Sequence, residues 1–243
     1  YAQGEELVKL DTSFADTTYF IRTASAYQQD SQFQKAGETA AKGLQKFVGQ
    51  PTLTFVQIAA LKQAGQNQQS LEALDKAIEA KIPVENAGFL RIALLKDLNR
   101  NDEVLPAAKA LIAAGDTSTT LRQMIVQIGN EKLQSGQKTN SEADYELALS
   151  TLKYADSVST GEVKVQAQFL IGAVNVTYGN LKLNKAQAEK SCALAKEAKN
   201  MFVDAQIMLP RGGATYVDAM RTLMGAVMQL DPAADAQIKA LCK

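Results

Sequence analysis

Tyr27-Gln28-Gln29-Asp30-Ser31-Gln32-Phe33-Gln34-Lys35-Ala36 is a polar turn between two stretches with helical periodicity. A constant shift reproduces the arrangement, because Ala36, Ser70 and Val104 fall in one column (70 − 36 = 104 − 70 = 34). Other columns move with it: Ala24, Ile58 and Ile92; Tyr27, Leu61 and Leu95; Ala40, Leu74 and Ala108; Gly43, Ala77 and Leu111. These columns hold small or apolar residues, as positions where two helices touch must. The breaks Asp30-Ser31-Gln32, Gly65-Gln66-Asn67 and Asn99-Arg100-Asn101 are short enough to join antiparallel helices.

The columns resemble the tetratricopeptide repeat, whose unit is an antiparallel helix pair of about 34 residues. In that family a small residue opens the second helix and another follows seven positions on. Two departures are plain. Gly43 and Leu111 stand where Ala is expected, and the bulky residue near the start of the first helix is Phe20 once, then Thr54 and Gly88. The resemblance implies an all-α fold, a right-handed superhelix of stacked antiparallel helix pairs. Each pair has an apolar stripe that it cannot bury alone, so its neighbours cover it.

The expected organisation is a lead-in or cap over 1–16, repeats over 17–50, 51–84 and 85–116, and a fourth repeat over 117–160. In the fourth, Ala148 follows Val104 by ten residues more than the period allows, and the polar run 134–143 is read as an exposed loop insertion. A degenerate fifth repeat is expected over 161–209, pairing a helix near 162–178 with one beginning near Lys185. Pro210-Arg211-Gly212-Gly213 reads as a helix stop. Residues 214–243 would add C-terminal capping helices, with a break at Pro232 and a short last helix over 233–242. Met220, Met224 and Met228, four residues apart, read as one face of a buried helix, with an adaptable binding stripe as the alternative.

Composition narrows the function. The chain has 243 residues, 46% of them apolar, with 26 Lys plus Arg against 26 Asp plus Glu. A net charge of zero gives no electrostatic reason to expect nucleic acid or anionic membrane as partner. No run approaches the length of a membrane span. There is no His, so the commonest metal ligand and the usual base for a Ser or Cys nucleophile are missing. Gly212-Gly213 lacks the Lys-Ser or Lys-Thr of a phosphate loop, and Glu5-Glu6 and Asp102-Glu103 read as acids at helix starts. The expectation is a non-enzyme with no cofactor and no metal.

Tyr1 is not an initiator Met, which a cleaved signal peptide or a deliberate truncation would each explain. With two cysteines and a surface rich in Gln and Asn, the reading leans to export or the periplasm, with the cytoplasm as alternative. Cys192 is expected on the second helix of the fifth unit and Cys242 on the terminal helix. Either the two form a disulfide, or Cys192 is a small buried side chain and Cys242 a loose thiol.

Two function classes follow. The resemblance implies a protein-interaction or scaffold module that binds a peptide or protein segment in a concave groove lined by first helices. The alternative is a small-ligand carrier using the same cavity. The first helices begin near Thr17, Thr52 and Glu85. Their outward stripe holds Ile21, Arg22, Ser25 and Gln28, then Phe55, Val56, Ala59 and Lys62, then Phe89, Leu90, Ala93 and Lys96. Asn130 extends it into the fourth unit. Phe55 and Phe89 are one repeat apart, as are Lys62 and Lys96 (89 − 55 and 96 − 62), which reads either as an apolar floor beside a basic rail or as phenylalanines packed between units beside solvated lysines. Such a surface suits an unidentified peptide with hydrophobic anchors and an acidic flank. The Asn and Lys pattern of the family's carboxylate clamp is not reproduced, so that ligand is not carried over.

Overall fold

The computed structural model describes residues 16–242, apart from the side chain of Asn101. Among the described residues there are eleven α-helices, two short 3-10 turns and no strand. The chain forms two compact units, divided between Ala114 and Gly115. The lead-in expected over 1–16 lies outside the described residues except for Asp16, which caps the first helix by accepting from the Tyr19 N–H at 2.8 Å.

The first unit holds α1 (Thr17–Gln29), α2 (Phe33–Lys46), α3 (Pro51–Gln63), α4 (Asn67–Glu79), α5 (Ala87–Asp97) and α6 (Asn101–Ala113). Each packs on the next in sequence, and α1 also touches α3. The three pairs turn in the same way. Ser31, Gly65 and Asn99 adopt positive φ at the spacing of the repeat (65 − 31 = 99 − 65 = 34). The amide that follows each reaches back across the helix end: Gln32 N–H to Tyr27 O, Gln66 N–H to Leu61 O and Arg100 N–H to Leu95 O, all within 2.8–2.9 Å. This left-handed cap satisfies carbonyls that a helix end would otherwise strand, and it reverses the chain. The columns at Ala24, Ile58, Ile92, Ala36, Ser70, Val104, Ala40, Leu74 and Ala108 are buried. Ser70 tolerates burial because its hydroxyl donates to Ile58 O at 2.8 Å.

The second unit holds α7 (Thr119–Thr139), α8 (Glu142–Val158), α9 (Gly161–Glu189), α10 (Cys192–Met208) and α11 (Val217–Leu241). It overturns the expected loop at 134–143. Helix α7 runs through to Thr139, and only Asn140 and Ser141 separate it from α8. Asn140 takes the left-handed turn position that Asn99 holds one unit earlier, at a longer spacing (140 − 99 = 41). The excess over the period is thus seven residues (41 − 34), or two helical turns, which lengthen a helix without rotating its apolar face. A polar run was legible as loop because solvent-facing helix and loop share composition. Ala148 is therefore not the counterpart of Val104; counted from the turn, buried Tyr145 is.

Further along, α9 is one helix of 29 residues and its partner starts at Cys192, not near Lys185. Lys190 takes the left-handed turn position there. Helix α10 ends at Met208, and a 3-10 turn over Leu209–Gly212 leads to Gly213 at φ 63°. No break occurs at Pro232, which lies inside α11. Lys199 of α10 bridges that proline, pairing with Asp231 and Asp235 on its two sides at 2.8 Å each. Tertiary ties thus hold both flanks where local propensity alone would stop the helix. Helix α11 packs on α10 and α9, just as α9 packs on α8 and α7, so it takes the place of the first helix of a further pair. The methionine stripe is not buried: Met228 is 73% exposed, and the buried residues of α11 are Val227 and Ala234.

Candidate interaction face

In the first unit, α1, α3 and α5 are the first helices of successive pairs. Gln50 starts α3 by accepting from the Leu53 N–H at 2.7 Å, ahead of Pro51 at the first helical position. Apolar residues surround most of α3, because it packs on α2, α4 and α1. Phe55 is an exception, since it retains 43% exposure. Phe89, one repeat on, is half-buried, as are Ala59, Leu90 and Ala93. Val56 leaves the expected stripe, because it is buried against Ala24 and Ala40.

The polar end of this face consists of ties between neighbouring helices. The Gln28 side-chain amide donates to Gln63 Oε1 at 3.3 Å, joining α1 to α3. Lys62 Nζ lies 3.1 Å from Asp97 Oδ2, joining α3 to α5. The expected basic rail is therefore interrupted, since Asp97 neutralises Lys62. Lys96 stays half-buried in the last turn of α5. Arg91 makes a similar tie to Asp75 of α4 at 2.7 Å. Pairs this exposed contribute roughly 0–1 kcal/mol each and set register more than stability. Asn130, half-buried on α7, belongs to the second unit. So Gln28, Phe55, Lys62, Phe89 and Lys96 lie in the first unit and Asn130 lies in the second.

A second feature of the first unit was missed at the level of sequence. Between α2 and α4, floored by α3, lies an open cleft of about 720 Å³. None of the residues expected in the groove lines it. Its walls carry Glu38 and Glu72, and its far end carries Leu44, Val48 and Ile82. The signal was present as the repeat spacing itself, from Glu38 to Glu72 (72 − 38 = 34) and from Val48 to Ile82 (82 − 48 = 34). These positions lie on second helices or in the loops that follow them, outside both the packing columns and the first-helix stripe.

In the second unit a polar cluster ties three helices. Tyr145 and Tyr178 stack with ring centroids 5.1 Å apart and planes 7° off parallel. The Tyr178 hydroxyl lies 3.0 Å from Glu142 Oε2 and 3.1 Å from Glu146 Oε1. Lys185 donates to Glu142, and Lys182 pairs with Glu197 of α10 while lying 4.7 Å above the Tyr178 ring. The hydrogen bond from Lys185 holds the Glu142 carboxyl below the ordinary carboxylate range, aided by Tyr178 and opposed by partial burial. Burial pushes the Tyr178 hydroxyl up, and the two carboxylates push it further. Cys192 and Cys242 are joined in a disulfide, with Cα atoms 5.1 Å apart. It links the first residue of α10 to Cys242, the residue that follows the last turn of α11.

Among the described residues, no group of three His, Cys, Asp or Glu side chains is placed to hold a metal. No described helix is long and apolar enough to cross a membrane.

No family model matches the sequence, and no curated protein matches it. Solved structures do. The chain is similar to a TPR repeats protein from Bacteroides fragilis, with a TM-score of 0.68 at 16% identity over 88% of this chain and 99% of that one. It is also similar to a tetratricopeptide repeat protein from Parabacteroides merdae, with a TM-score of 0.47 at 14% identity over 93% of this chain and 90% of that one. At such identities the first likeness establishes the fold, which is that of a TPR-like α-solenoid.

Proposed function

We propose that this chain is a non-catalytic protein-interaction module, and that the first-helix face of its first unit receives a peptide or protein segment. The TPR-like fold supports the general role, since solenoid surfaces of this kind present side chains in rows. The observation that carries the location is Phe55, an aromatic side chain left 43% exposed on a helix whose other exposed residues, Pro51, Thr52 and Gln63, lie at its ends. Phe89, half-buried, holds the same position one repeat on. Large aromatic anchors at the centre of a face dominate binding energy in known interfaces. The interaction of Lys62 with Asp97 leaves apolar contact, rather than an acidic flank on the ligand, as the main requirement.

The Cys192–Cys242 bridge supports an oxidising, exported location for the chain. Fractionation that finds it in the cytoplasm with two free thiols would remove that assignment.

The test of the binding face places a photo-crosslinking amino acid at position 55 of the full chain in its native source. A crosslinked partner is expected there, and its capture should fall when Phe89 and Lys96 are both replaced by Ala. Helicity by circular dichroism serves as the folding control. Undiminished capture by a folded double variant would rule out this face.

A further inference from the structure

The cleft between α2 and α4 is a built feature of the first unit, distinct from the first-helix face. The two helices run in the same direction, as second helices of successive pairs. They make little contact with each other, and α3 lies beneath them. The α2–α3 connection closes one end. Gly49, at φ 74°, brings that loop across to residue 82, so that a Cβ on Gly49 would stand 3.9 Å from Ile82 Cδ1. Val48 is thereby left 88% exposed at the mouth.

The cleft is polarised along its length. The half nearer the starts of α2 and α4 is lined by Gln34, Gln66 and Gln69 and carries Glu38 on one wall and Glu72 on the other. Each is held by the glutamine one turn earlier: Gln34 donates to Glu38 at 3.1 Å and Gln68 donates to Glu72 at 2.8 Å. The opposite end is apolar, formed by Leu44, Val48, Ala77 and Ile82. Lys76 lines the junction between the two ends, so the walls keep an excess of carboxylate. Six residues of helix separate Glu38 from Leu44, which places the two ends roughly 9 Å apart.

We propose that this cleft binds a segment of a partner protein that presents a bulky apolar side chain and, roughly 9 Å from it, a Lys or Arg. The apolar side chain fills the end at Leu44 and Ile82, and the cation lies between Glu38 and Glu72. An acidic segment is repelled by both carboxylates, so the polarity of the cleft selects charge as well as orientation. The proposal does not depend on the first-helix face.

The test pans random short peptides displayed on phage against the full chain carrying Phe55→Ala and Phe89→Ala, which silences the first-helix face. Recovered peptides are expected to share a bulky apolar residue and a Lys or Arg. Glu38→Lys with Glu72→Lys should weaken them by about tenfold, and the uncharged Glu38→Gln with Glu72→Gln by less. Ala41→Trp, which fills the cleft, should abolish binding. Both charge variants change exposed residues, so they decide the matter even where the tryptophan variant fails to fold. An acidic consensus, no enrichment, or binding indifferent to the charge reversals would overturn the proposal. So would a co-purified small molecule in native mass spectrometry that Ala41→Trp or the charge reversals displace, or a dimer that they dissociate.

Discussion

Leu152 occupies the space that Gly129 leaves open: its Cγ lies 2.6 Å from the point where a Cβ on residue 129 would stand. The same relation holds between Gly179 and Phe202, at 2.7 Å, and between Gly88 and Leu111, at 2.3 Å. In the first pair it is reversed, and Gly43 leaves room for Phe20 at 2.9 Å. The partners keep one sequence separation throughout (152 − 129 = 202 − 179 = 111 − 88 = 43 − 20 = 23). Thr54 and Ala77 hold the same two columns in the second pair. The departures at Gly43, Gly88 and Leu111 are therefore one compensated exchange. A large side chain can come from either helix if its partner is glycine, because a close-packed interior conserves volume before identity.

Gly129→Ala should destabilise the second unit by about 1–3 kcal/mol, because fully buried Leu152 has no free side to swing into. Gly88→Ala should cost less, since half-buried Leu111 can turn outward. Denaturant unfolding of Gly129→Ala, Leu152→Ala and the double variant checks this. A coupling of about 1 kcal/mol is expected in the cycle. Simple additivity would show that the two residues do not meet in solution.

Lys190 sits at φ 51° and is exposed, so its side chain contributes little while its Cβ is strained. Lys190→Gly should stabilise by up to about 1 kcal/mol, the left-handed penalty less the entropy that glycine loses on folding. Lys190→Ala keeps the strain and should show no gain. Equal midpoints for both variants in thermal melts would contradict the left-handed turn.

Reduction of the Cys192–Cys242 bridge, or Cys242→Ser, should lower stability by about 4 kcal/mol in the chain-entropy picture, given the separation of 50 residues. The loss should show first in α11, which the bridge joins to α10. Thiol titration under denaturing, non-reducing conditions should find none free. Two free thiols would refute the bridge.

The second unit should lose stability in acid. Glu142 is held below its ordinary value of 4.5, mainly by Lys185, and Asp144 below 3.8, mainly by Ser135. Both contributions are complete above pH 4.5 and decline as pH falls through the depressed folded-state values, because the unfolded chain takes up protons first. Glu142→Gln should flatten this part of the stability profile below pH 4.5 while lowering stability at neutral pH. An unchanged acid slope would show that Glu142 is not paired.

By itself the sequence determined the repeat unit and the all-α class, because packing columns such as Ala24/Ile58/Ile92 and Ala36/Ser70/Val104 are local patterns repeated at a constant spacing. It also placed Phe55 and Phe89 on successive first helices. Only the tertiary structure decided how the longer pairs close. Polar residues 134–139 are helix because α8 and α9 cover the other face of α7, and α11 passes through Pro232 because Lys199 holds both of its flanks. Polarity alone cannot separate a solvent-facing helix from a loop, and propensity alone cannot foresee a tie from another helix. The cleft between α2 and α4 is of the same kind. Its glutamates and apolar residues could be read one by one, but their convergence depends on how closely two helices approach, which packing settles and spacing does not.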